Sequence, residues 1–228
     1  MLTRTKVTAE IKACLYLAIP LATAQLAQSA TGFIDTVMTG MLGSEALAAG
    51  GLGAMLFTFL MVVSIGAISA VSPLVAAAYG AGASDRVALV VRQGLWLAAL
   101  LTIPLTFIVL NGTPLLLALG QNSDTVALTQ TYLNAIAWGY FPALGFATLR
   151  SFVAALSQPR SVMVIMLIGT CLNLTGNYVL MFGKFGFPAL GLAGVGFASA
   201  FSFWVMFSIL VIYILRQPSL RQYQVFRH

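Results

Sequence analysis

The chain has 228 residues, 60% of them hydrophobic and only 7% charged, with 11 Lys and Arg against 5 Asp and Glu for a net charge of +6. A water-soluble domain carries roughly 25% charged residues to cover its surface, so this surface must face lipid, and a mean hydropathy of +0.99 agrees. One histidine, His228, and two cysteines, Cys14 and Cys171, leave no metal cluster and no disulfide framework.

Six stretches of membrane length follow one another, roughly 13–38, 47–79, 89–111, 128–157, 161–183 and 190–215, separated by short polar or Gly/Pro-rich breaks. The expected fold is an all-α polytopic membrane protein of six transmembrane helices, read as one unit over residues 1–228 because nothing repeats at a short period. The first stretch follows Arg4, Lys6 and Lys12, and Ala22-Thr23-Ala24 has the look of a cleavage site. The apolar run continues too far for a signal peptide and reads as an uncleaved span.

Asp35 sits inside that first span, in a segment otherwise free of charge from Ala13 to Met38. A carboxylate at membrane depth costs roughly 2.5–3.5 kcal/mol at mid-span and less near the ends. It is therefore expected to bind an ion, a proton or a partner side chain; the alternative is that it simply meets water at the helix end. Gln25, Gln28, Ser29, Gly32, Asp35, Thr36 and Thr39 recur every three or four residues and form a polar stripe. Such a stripe faces a partner helix or a water-filled cavity, and with its carboxylate a cavity is favoured. Pro20 removes a backbone donor upstream in the same helix, where a kink is expected. Pro73, Pro104 and Pro142 fall in the next three spans and read as packing prolines.

Arg150 falls inside the fourth span and is expected to snorkel toward the nearer interface. On the fifth span, Asn173 and Asn177 are four residues apart, so their amides share a face. Asn177 and Asp35 count to the same leaflet. Together the three side chains could hold Na⁺, which prefers hard oxygen ligands, or hydrogen-bond a protonated acid; the alternative is an Asn pair bonding only to neighbouring helices. On the sixth span Gly191, Gly194, Gly196, Ala198, Ser199 and Ser202 read mostly as close helix packing.

Basic residues set the expected orientation. With the N-terminus in the cytoplasm, Arg4, Lys6, Lys12, Arg86, Arg92, Arg160, Arg216, Arg221 and Arg227 fall on or near the inner side, and only Lys184 lies outside. An even number of spans then returns the C-terminus to the cytoplasm, and a second such unit would follow as a parallel repeat. The tail from Arg221 to His228 reads as a truncation point without a folded extension, its basic residues expected to lie along anionic lipid or to link onward. Nucleic acid is not needed to explain the charge.

Three segments resemble a known family. Gly32-Phe33-Ile34-Asp35-Thr36-Val37-Met38-Thr39-Gly40 is similar to the signature of the multidrug and toxic-compound extrusion (MATE) transporters, in their NorM-type branch. Ala76-Ala77-Ala78-Tyr79-Gly80-Ala81-Gly82 resembles the family's inner-loop motif. Leu149-Arg150-Ser151-Phe152 through Gln158, with Asn173 to Gly183, resembles its fourth-to-fifth helix region.

The resemblance implies a cation-coupled antiporter of the bacterial inner membrane that exports amphipathic, often cationic, organic compounds without a cofactor. Family members have twelve spans in two six-helix lobes around a central cavity, and this chain matches the N-terminal lobe. A C-terminal lobe or a second copy is thus the implied partner, and a non-transporting half-lobe is the alternative. The resemblance assigns H⁺ or Na⁺ coupling to Asp35, joined by Asn173 and Asn177, and helix bending to Pro20. Some members carry an acid where Asn177 stands, which leaves the coupling ion open. A lipid-linked oligosaccharide flippase of the same superfamily would favour a basic cavity, whereas mid-membrane Lys and Arg are scarce here. An enzyme is not expected: HExxH and GxSxG are absent and there is no interior histidine.

Overall fold

The computed structural model describes residues 4–156 and 158–226, with side chains described from Cys14 onward except Leu17. Arg227 and the side chains of Arg4, Lys6 and Lys12, all invoked above for orientation, lie outside what is described, as does His228. The described chain is helical with no strands: α1 Arg4–Gly40, α2 Ser44–Ile68, α3 Val71–Gly80, α4 Ser84–Leu110, α5 Gly112–Ala118, α6 Ser123–Ile136, α7 Tyr140–Ala155, α8 Pro159–Phe182, α9 Leu192–Arg216 and α10 Pro218–Arg221. Four stretches (44–80, 84–110, 159–182 and 192–216) are long and apolar enough by themselves to cross a membrane. The 37-residue α1, with its polar stripe, and the interrupted pair α6–α7 complete six spans.

Two spans are broken where a single rod was expected, and proline explains both breaks. A proline has no N–H to give the carbonyl four residues earlier, and its ring crowds that carbonyl. Pro73 acts on Ser69, and α2 ends at Ile68, with α3 beginning at Val71. Pro142 acts on Trp138, and a 3₁₀ turn over Ala137–Gly139 separates α6 from α7. The Trp138 carbonyl so released accepts instead from the indole N–H of Trp204 on α9, at 3.1 Å. At lipid depth a backbone carbonyl needs such a partner, because no water is present. Pro20 breaks nothing in this sense: α1 is helical on both sides of it.

Close approach of backbones sets how the helices pack. A Cβ on Gly194 would stand 2.7 Å from the Leu180 carbonyl, and one on Gly176 would stand 3.0 Å from Ala198 Cβ, so α9 lies tight along α8 in antiparallel fashion. Gly196 is similarly closed by Ala135 and the Tyr132 carbonyl on α6. The pairs Ala49–Thr129, Gly53–Tyr132 and Phe57–Tyr140 advance together along α2 and α6–α7, which therefore run parallel. The core holds Tyr140, Leu144, Leu149, Phe152, Leu210 and Ile214, all nearly inaccessible. The outer face is the inverse of a soluble protein's, with Trp96 74% exposed and Phe33 70%.

The tail departs from expectation. It is not bare: α10 buries Leu220, Tyr223 packs edge-on to Phe152 with ring centroids 6.0 Å apart, and Val225 is buried. Gln158 Nε2 donates to Ser219 Oγ at 3.0 Å, which ties the tail to the start of α8. The apolar residues at 220, 223 and 225 give this segment a face to bury, a feature hidden behind its basic charge.

Candidate functional site

The site grows from the seam between α1 and α8. Along it the Arg160 guanidinium stands over the Tyr16 ring at 4.0 Å, Thr170 donates to the Ala27 carbonyl at 3.2 Å, and the hydroxyls of Thr31 and Thr170 meet at 2.9 Å. Each step up α1 is matched by a step up α8, so the two helices run side by side in the same direction. The seam ends at Asp35. The Asn177 amide donates to its Oδ1 at 2.5 Å, and the Ser199 hydroxyl on α9 lies 3.5 Å from its Oδ2.

A second layer orders these donors. Asn173 Nδ2 donates to Ser199 Oγ at 2.9 Å, and Asn177 Nδ2 also reaches Asn173 Oδ1 at 3.3 Å. Asn173 and Asn177 are essentially inaccessible. The i, i+4 spacing that placed them on one face thus delivers both to the carboxylate. One acceptor is left over: Asn177 Oδ1 is buried without a hydrogen-bond partner. Such a group is costly to hold, by roughly 1–3 kcal/mol, and its presence beside a carboxylate marks a place where a proton donor or a cation fits. Among the described residues no group of His, Cys, Asp and Glu forms a metal cluster.

Asp35 opens into a cleft of about 330 Å³ bounded by α1, α2, α6, α7, α8 and α9. Its walls are largely apolar, with Phe57, Met61, Phe146, Met166, Phe203 and Met206 prominent. Aromatic faces and flexible thioethers accommodate flat hydrophobic ligands of varied outline. Its polar points are Asp35, Asn173, Ser199, Ser202, Thr170 and the α1 stripe, with Arg150 as a positive group.

The stripe divides. Gln28, Gly32, Asp35, Thr36 and Thr39 line the cleft, and so does Thr31, which the sequence reading left out. Thr39 is buried with its hydroxyl donating to the Asp35 carbonyl at 2.6 Å, and Thr36 bonds to the Gly32 carbonyl at 2.9 Å. Gln25 and Ser29 are exposed and lie outside the lining, contrary to the expectation for the stripe. At about 100° per residue Ser29 stands about 120° round the helix from Asp35, and Gln25 is about 15 Å down its axis. Pro20 is buried in α1, about 22 Å along the helix from Asp35 and away from the cleft. Arg150 does not snorkel out; it turns into the cleft with Nη1 3.9 Å from Met166 Sδ. Ser199 had read as packing and is a partner of Asp35. Thr170 could have been found, since it precedes Asn177 by two helical turns on the same face of α8.

Comparison with known proteins places this arrangement. Residues 20–179 match the family described as MatE. The chain is 50% identical over 218 residues to a probable multidrug resistance protein NorM of Synechocystis sp., covering 96% of this chain and 47% of that protein. It is 36% identical over 214 residues to the multidrug resistance protein MdtK of Edwardsiella ictaluri, covering 93% and 47%. Among solved structures the fold superposes on the eukaryotic MATE transporter AtDTX14 with a TM-score of 0.85 at 21% identity, over 95% of this chain and 48% of that one. An outward-facing MATE family transporter of the MOP superfamily gives 0.80 at 21%, over 90% and 45%. The chain spans about half the length of the curated relatives it matches. With its matched residues, its helical fold and half that length, the chain belongs to the MatE family and has the architecture of one six-helix lobe of its transporters.

Proposed function

We propose that the chain is the N-terminal lobe of a cation-coupled antiporter that exports amphipathic, often cationic, organic compounds by alternating access. The observation that carries the reading is Asp35 in the wall of a largely apolar cleft, held by Asn177 and Ser199 with the orphaned Asn177 Oδ1 beside it. The names of the relatives, multidrug resistance proteins, support the substrate class.

Ionised Asp35 accepts from the Asn177 amide N–H. When Asp35 takes a proton it becomes a donor, and a half-turn of the Asn177 amide presents Oδ1 to receive it. The same turn brings a neutral oxygen to face a bound Na⁺ together with the carboxylate and Asn173 Oδ1, a hard-oxygen set. Either ion removes the charge that attracts a cationic substrate, so ion and substrate compete, as antiport requires. Pro20 gives α1 a place to bend as the site changes occupancy. A second six-helix lobe or a second copy supplies the opposing wall against which this lobe rocks, in the inner membrane with both termini cytoplasmic.

The test is export of a fluorescent cationic dye from proteoliposomes holding the two-lobe transporter, driven by an imposed pH or Na⁺ gradient. Asp35→Asn should abolish gradient-driven export while retaining dye binding. Wild-type export with that substitution would reduce Asp35 to an interfacial carboxylate and overturn the reading.

A further inference from the structure

Arg150 is a charged group in the cleft wall that the proposed coupling scheme leaves unused. It sits on α7 within the Leu149–Phe152 segment, flanked in the core by Leu149 and Phe152, which are fully buried. Its guanidinium reaches into the cleft, and the contact the structure gives it there is the Met166 thioether at 3.9 Å. A thioether is a weak acceptor and does not satisfy five charged N–H donors. A cation held in an apolar wall with so little return is costly at membrane depth, and a ligand oxygen would recover that cost.

The second observation is where Arg150 stands relative to Asp35. Arg150 meets α8 at Met166 and Asp35 meets it at Asn177, three turns apart, or about 16 Å along the axis. Both open into the same cleft. The cleft therefore carries a permanent positive end and a titratable negative end, joined by apolar wall. An amphiphile with a carboxylate has that acid repelled by Asp35 and drawn to Arg150, where a planar guanidinium pairs with it through two parallel N–H bonds.

We propose that Arg150 is a specificity residue: it forms a subsite for the carboxylate of zwitterionic amphiphiles and orients them with the cationic end toward Asp35. The inference rests on the cleft being the substrate site, as proposed above. It predicts that ligands with a free acid are distinguished from their esters by this lobe, and by Arg150 alone.

Rhodamine 19, a zwitterion, and rhodamine 6G, its cationic ethyl ester, form the matched probe pair. Their binding to the two-lobe transporter in nanodiscs is read by fluorescence anisotropy. Arg150→Gln should weaken rhodamine 19 by about tenfold, the equivalent of about 1.4 kcal/mol, and leave rhodamine 6G within about twofold. Arg150→Lys should recover part of the loss, since it keeps the charge without the planar fork. Retained rhodamine 6G binding shows that Arg150→Gln still folds, and thermal unfolding of each variant checks it independently. Equal weakening of both dyes, or of neither, overturns the Arg150 assignment and leaves the cleft reading standing. Failure of the wild-type two-lobe transporter to bind either dye overturns both.

Discussion

The Asn177 amide lies 2.5 Å from Asp35 Oδ1, whereas the Ser199 hydroxyl lies 3.5 Å from Oδ2. The carboxylate is thus held from α8 and only brushed by α9. A hydrogen bond to a charged group contributes roughly 1.5–3 kcal/mol, and contacts near 3.5 Å contribute little.

The inequality sets an order of effects in the two-lobe transporter. Asn177→Ala removes the short bond and the neutral oxygen proposed to face a bound ion, and should slow gradient-driven dye export by about tenfold or more. Ser199→Ala should stay within about threefold of wild type, because its contact is at the limit of a hydrogen bond. Initial export rates at fixed gradient decide it. A larger loss from Ser199→Ala than from Asn177→Ala would mean that α9, not α8, governs the carboxylate.

What the sequence made legible follows from periodicity. Spans appear as apolar runs, and the Asn173–Asn177 pair appears because four residues make about one helical turn. Contacts between helices have no such rule. Ser199 sits among small residues whose spacing looks like packing and is packing, yet its hydroxyl also lies beside Asp35. Arg150 shows the same limit: a side chain inside a span can turn outward or inward, and only the neighbours on α8 decide which. On α1, Gln25 stands only about 20° round the helix from Gly32, so periodicity shows the face it shares but not that it lies about 15 Å along the axis from Asp35, outside the cleft lining.

The link from Trp204 to the Trp138 carbonyl should be conditional on Pro142. Trp204→Phe removes the indole donor and should cost about 1 kcal/mol, the ordinary value of a neutral hydrogen bond. In a Pro142→Ala background residue 142 regains an N–H for that carbonyl, so the same substitution should cost markedly less. A double-mutant cycle in detergent-solubilised protein, read by thermal unfolding, measures the coupling. Strict additivity would show that the indole and the proline act independently.

Two glycines should answer oppositely to alanine. At Gly194 an added Cβ meets the Leu180 backbone at 2.7 Å, and backbone cannot rotate aside, so α8 and α9 must part. The expected loss is about 1–3 kcal/mol, as for other overpacked cores. Gly66, in the last turn of α2, has nothing within 4 Å, and alanine there should be neutral or stabilising by up to about 1 kcal/mol. The melting temperatures of the two variants relative to wild type provide the comparison. A stable Gly194→Ala protein would contradict the tight α8–α9 contact.

Orientation in the bilayer can be tested on the same helices. Because α1 and α8 run parallel, the residues that follow them, Ser44 and Lys184, must emerge on one side, together with Ser123 at the start of α6. Ser84, at the start of α4, and Ser219 on α10 must emerge on the other. All five are exposed, and clustering of Arg and Lys predicts the cytoplasmic side for the second group. Cys14 and Cys171 are both exposed and must first be replaced. Single cysteines at 44, 123 and 184 should then react with an impermeant maleimide on intact cells, and those at 84 and 219 only after permeabilisation. A reversed pattern would turn the lobe over and place the Asp35 end of the cleft toward the cytoplasm. Labelling of 44 and 184 from opposite sides would break the parallel arrangement of α1 and α8 itself.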